Sequence, residues 1–215
     1  MKLLAHDVDS HEMIPAHLLE DVLGQPGRIM GRILASADQT PGNADNMHQP
    51  DIVGDTRVID PEEIWRIKGP SAPSAIDLGR RVEVLDAMGI DRQLVFPTTA
   101  IAAMMVGGMN DMAYQMRWGG DLSVFEGLSR PEFTELFLRA YNDWVIDNVN
   151  LADGRIRLVG IVPTRSDTSE MIATATRLVN AGVRAVYLQA DVPPGGVAPS
   201  HSMLDPLWRP FEDTD

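Results

Sequence analysis

Three short apolar runs, "RQLVFPT" at 92–98, "RIRLVGIVPT" at 155–164 and "VRAVYLQA" at 183–190, restrict the fold of this chain more than any other feature. "KLLAHDVD" at 2–9 is a fourth, shorter run that passes into polar residues, with Pro15 closing the segment. Strands that are apolar almost throughout must be covered on both faces, which is the mark of parallel pairing under helices. The intervening segments supply those helices. Leu78, Val82, Leu85 and Met88 share one helical face, with Gly89 as a stop. Ser129 and Glu132 form a capping-box pattern ahead of the stripe Phe133, Leu136, Phe137, Tyr141, Trp144, Val145 and Val149. Asp167 and Glu170 can cap a third helix that buries Met171, Ile172, Ala175, Leu178 and Val179 and stops at Gly182. Asp205 reads as an N-cap with Pro206 at the first helical position, and Pro210 predicts a kink or an early stop.

Four βα units fit either a doubly wound sheet or part of a (β/α)8 barrel. A full barrel needs about 250 residues, whereas this chain has 215 and spends many of them early. Residues 16–34 have helical character interrupted by Gly24, Pro26 and Gly27. The stretch 36–50 reads as a polar loop, 61–74 as irregular, and no internal repeat is present. The Met-rich stretch with Met104, Met105, Met109, Met112 and Met116 reads as adaptable core or interface packing.

Composition removes several kinds of chemistry. With no cysteine, disulfides, thiolate metal sites and a cysteine nucleophile are excluded. The net charge of -13 argues against a nucleic-acid partner, which would require a basic face. No run is long and apolar enough for a membrane span, and "MKLLAHD" becomes charged too early for a secretory signal, so a cytoplasmic location is expected. The chain has no G-x-S-x-G elbow, P-loop or H-E-x-x-H helix.

The candidate chemistry sits in "DVDSHEMIP", residues 7–15. In parallel α/β folds, sites lie at the carboxyl ends of strands, and alternate residues of an extended segment point the same way. Asp9 and His11 would then aim at one point, with Asp7 on the same face and His6 on the other. A carboxylate and an imidazole at that spacing suit a divalent cation, Zn, Mn or Fe. The plainer reading is an acidic loop or helix cap beside a surface histidine. His6, His17, His48 and His201 read as solvated or locally bonded.

Taken together, "DVDSHEMIP", "RRVEVLDAMGIDRQLVFPT", "AYNDWVIDNV", "GRIRLVGIVPT", "AGVRAVYLQA" and "HSMLDPLW" resemble, in this order, the amidohydrolase-related proteins close to aminocarboxymuconate semialdehyde decarboxylase, the amidohydrolase 2 family. The resemblance is weakest over 24–74 and 100–128. It implies a partial (β/α)8 TIM barrel, a single domain over 1–215 containing the first four βα units and ending before the fifth strand. It also implies one divalent metal ion, with Asp9 and His11 as the first two ligands, weakly held because the later ligand-bearing strands are not in this sequence. The implied activity is hydrolysis or non-oxidative decarboxylation of a small carboxylic-acid substrate, with no catalytic residue assigned. The competing expectation is a catalytically silent half-barrel that associates with itself or with a complementary carboxyl-terminal half, because open strand edges favour association.

Overall fold

The computed structural model describes residues 5–38, 58–67, 69, 72–75, 77–189 and 193–212. Leu3 and Leu4, most of the 36–50 stretch with His48, and Ala190 lie outside the described residues. The described part is mixed α/β, and its strand pairs are parallel. The strands are β1 (Ala5–His11), β2 (Ile90–Phe96), β3 (Ile156–Leu158), β4 (Gly160–Val162) and β5 (Val186–Leu188). The helices are α1 (Leu19–Asp38), α2 (Arg81–Met88), α3 (Thr98–Gly108), α4 (Asp111–Trp118), α5 (Arg130–Asp147), α6 (Thr168–Asn180) and α7 (Asp205–Glu212). Among the described residues no helix is long and apolar enough to cross a membrane.

The run 155–164, read from sequence as one strand, divides at Val159 into β3 and β4. The Val159 N–H bonds back to Val95 O in β2, whereas the next residue, Gly160, donates to Ala185 O beside β5. The first half of this run pairs with β2 and the second half with β5. The strands thus form two parallel sheets, β1-β2-β3 and β4-β5, each in sequence order. The last strand is also shorter than its apolar run, three residues of the eight in 183–190.

The capping signals held where they are local. Ser129 and Glu132 form the reciprocal box at the head of α5, and the Asp167 side chain accepts from Glu170 N–H at 2.9 Å. Gly89, at φ 72°, closes α2 in the left-handed region. Three other expectations changed. Ser36, Ala37 and Asp38 are the end of α1 rather than loop. Helix α1 breaks only at Gly24 (φ 65°, ψ -142°); Pro26 then falls in the first turn of the resumed helix, where its missing N–H costs nothing. Asp205 is already helical, because a 3-10 turn at Ser202–Leu204 precedes it and the His201 ring accepts from Met203 N–H.

Pro210 does not end α7, which continues to Glu212. The lost bond lies close to the helix end, and Leu207, with Trp208 and Phe211, packs against the core and holds the last turn. The core centres on α5, which packs against α1, α3 and β4. Tyr114, Phe125, Phe133 and Phe137 form a chain of ring contacts at 5.3, 5.5 and 5.9 Å. Of the methionines read as core or interface packing, Met104 is buried, but Met112 and Met116 are 70% and 78% exposed.

Candidate metal centre

β1 delivers its polar residues through an irregularity. Asp7 pairs with Gln93 and Ser10 with Val95, so β1 spends three steps where β2 spends two, and Val8–Asp9 form a bulge. The simple alternation expected from sequence is therefore broken between Asp7 and His11. Asp7 holds the bulge: its Oδ1 accepts from Asp9 N–H at 3.0 Å and its Oδ2 from Gln93 Nε2 at 2.8 Å. The sequence left Asp7 without a role, and pairing register supplies one.

Beyond the bulge, His11 Nε2 and Asp9 Oδ1 stand 3.7 Å apart. An imidazole nitrogen and a carboxylate oxygen at that separation could both hold one divalent ion, such as zinc, between them. His11 Nδ1 is 3.0 Å from Thr98 Oγ1, and the His11 and Phe96 rings are 5.9 Å apart. One face of the imidazole is thus engaged and the other is turned toward Asp9. The pair is accessible, with the His11 side chain 41% and the Asp9 side chain 90% exposed. Without a metal, the same geometry is a surface ion pair when the ring is protonated, and such pairs contribute little. The donor set fits part of a metal sphere. Among the described residues no group of three or more His, Asp or Glu side chains converges.

Immediately behind this pair, Glu12 is buried. Its Oε1 accepts from Thr99 N–H at 2.9 Å and from the Thr99 hydroxyl at 2.8 Å. Burial pushes the Glu12 carboxyl up to about 7, opposed by the Thr99 bonds, the Arg81 charge and the Ile14 N–H. Arg81, also buried, donates to the carbonyls of Ser74, Ala75 and His11, so α2 is tied to the end of β1. Tyr141 of α5 is held well above the usual phenol range, first by burial and then by the Glu12 charge. Glu12, Thr98, Thr99 and Arg81 were missed from sequence; the one available signal was an acidic residue set directly before the apolar pair Met13-Ile14.

The other described histidines behave as local groups. His6 Nε2 lies 3.6 Å from Asp91 Oδ2, His17 is exposed in a 3-10 turn, and His201 caps the turn before α7. A cavity of about 580 Å3 opens between α5 and α6, lined by Leu138, Arg139, Thr164, Arg165, Arg177 and Gln189 among others. The residues after "VPT", Arg165 and Ser166, line it, as do Gln189 and, from α3, Met104 and Gly107, whereas Asp9 and His11 do not. No family model matches the chain, and no curated protein matches it significantly.

Proposed function

We propose that the chain is the first four βα units of an amidohydrolase-type barrel and that Asp9 and His11 contribute to a divalent-metal site for hydrolysis or non-oxidative decarboxylation of a small carboxylic-acid substrate. The observation that carries this reading is the approach of His11 Nε2 to Asp9 Oδ1 at a strand end, with the opposite ring nitrogen occupied by Thr98. Consecutive parallel strands in sequence order support the barrel part of the reading. When bound, the metal supplies Lewis acidity, polarising a substrate carbonyl or lowering the pKa of a water. Asp9 and His11 hold it, and the Asp7–Gln93 bond fixes the bulge that carries Asp9.

Metal content after equilibration with zinc, manganese or iron(II) tests the reading. It expects bound metal in the wild type that is lost in both Asp9→Ala and His11→Ala. Equal retention in either variant, or no metal above background in the wild type, overturns it.

A second reading is favoured by β1, which pairs only with β2 among the described residues and leaves Val8 68% exposed. Such an edge is suited to a second copy or a complementary half. Sedimentation of the purified chain separates the cases, because a stable monomer refutes self-association.

A further inference from the structure

We propose that the cavity between α5 and α6 is a ligand site separate from Asp9 and His11, and that it takes a small organic anion with an apolar body, such as an aromatic carboxylate. The inference does not depend on the metal reading.

The cavity encloses about 580 Å3, a size that suits a small molecule. Met104 of α3 and Leu138 of α5 are buried and give it an apolar wall. Thr164 lies just past the end of β4 and Gln189 just past the end of β5, and both line the cavity. It therefore opens at the carboxyl ends of two adjacent parallel strands, the place where α/β folds bind their ligands. Two polar residues in the wall differ in what they can offer. Asn142 has nothing left, because both ends of its amide are bonded to Ile161. Thr164 is buried, and its hydroxyl has no hydrogen-bond partner among the described residues. Folded proteins leave few buried hydroxyls unpaired, and a head group bound in the cavity would give this one its partner.

Charge selects an anion. Arg139, Arg165 and Arg177 all line the cavity, in a chain whose net charge is -13. Arg177 reaches from α6 to Asp143 on α5, and Arg139 pairs with Glu135 at 3.0 Å. Both pairs are exposed, so they contribute little and can open toward a ligand. Arg165 lies against the end of α3, where a Cβ on Gly108 would come within 3.3 Å of its Nη2, so the glycine leaves the guanidinium its room. The two carboxylates in the wall are already matched. Glu135 is held by Arg139, and Glu170 stands in the first turn of α6, where the helix dipole favours its charge. A guanidinium can hold a carboxylate through two parallel hydrogen bonds, which a neutral head group cannot reproduce.

Backbone amide spectra of the chain titrated with naphthoate test the proposal, with naphthylmethanol and naphthylmethylamine as neutral and cationic probes of the same body. The expected result is saturable shifts at Gly107, Ser166 and Gln189 with naphthoate, and binding about ten-fold weaker or worse for the other two probes. Arg165→Gln should weaken naphthoate about ten- to a hundred-fold, as loss of a charged hydrogen bond does. Thr164→Val should weaken it about three- to ten-fold while leaving the melting temperature of the free protein undiminished, because the hydroxyl has no partner there to lose. His11→Ala should leave naphthoate binding unchanged. The proposal is overturned by the absence of saturable shifts at those amides in the wild type, by unchanged naphthoate binding in folded Arg165→Gln or Thr164→Val, or by equal binding of either control probe. Shifts that vanish in His11→Ala overturn it as well, since they would place the ligand at the metal centre. Naphthoate binding that survives His11→Ala, with no metal held by any form, supports this site while refuting the metal reading.

Discussion

Replacing Asn142 with alanine should be among the most damaging single changes in this chain. Asn142 is buried on α5, and its amide makes a matched pair with one residue of β4: Nδ2 donates to Ile161 O and Oδ1 accepts from Ile161 N–H, both at 2.8 Å. Ile161 faces the same side as Val159, the last residue bonded to β2. Extending that ladder would require Pro97 O for Ile161 N–H and Thr99 N–H for Ile161 O, but the chain has turned into α3 and Thr99 N–H is given to Glu12. The Asn142 side chain stands in for the missing strand. Removing it strands a buried donor and a buried acceptor, each costing about 1–3 kcal/mol, so the loss should be about 2–6 kcal/mol. That is a large part of the about 5–15 kcal/mol stability of an ordinary domain. Asn142→Asp should lose a similar amount, because it retains one bond but sets an oxygen against Ile161 O. Urea unfolding and hydrogen exchange at the Ile161 amide provide the measurement. A loss below about 1 kcal/mol, with Ile161 still protected, would refute the argument that Asn142 replaces a strand.

For the metal-free protein, Glu12 predicts a pH dependence. Its folded pKa of about 7 lies above its ordinary value, so the folded state keeps a proton that the unfolded state releases, and stability declines as pH rises from about 4.5 to 7. The shift corresponds to about 3 kcal/mol, and Glu12→Gln should flatten the decline; an unchanged slope in urea midpoints between pH 5 and pH 8 would remove desolvation of Glu12 as its cause. Gly27 and Gly107 should differ in tolerance. A Cβ on Gly27 would meet the main-chain Leu19 O at 1.9 Å, which no side-chain rotation relieves, so Gly27→Ala should cost about 3 kcal/mol or more. A Cβ on Gly107 would meet Thr134 Oγ1 and, at 2.9 Å, Thr134 Cβ; the hydroxyl can turn away at the expense of its bond to Ala103 O and the remaining overlap with Cβ needs α3 and α5 to part by a few tenths of an ångström, giving about 1–3 kcal/mol. Thermal unfolding that ranks the two variants in reverse would contradict this distinction.

The sequence by itself determined what lies within a few residues along the chain. The Ser129–Glu132 box, the Asp167 cap and the Gly89 stop are hydrogen bonds and backbone preferences shared by near neighbours, and the amino acids name them directly. The apolar runs likewise determined parallel strands under helices, and Asp9 and His11 are close to each other as their spacing suggested. Only the tertiary structure decided which strand each run pairs with and where that pairing slips. The bulge at Val8–Asp9 depends on register with β2, and it gives Asp7 its work. The division at Val159 depends on two different neighbouring strands. Glu12 meets Thr99 across 87 positions and Asn142 meets Ile161 across 19. A buried polar residue interrupts an apolar pattern without naming its partner, since that partner is whichever backbone group the packing leaves unpaired.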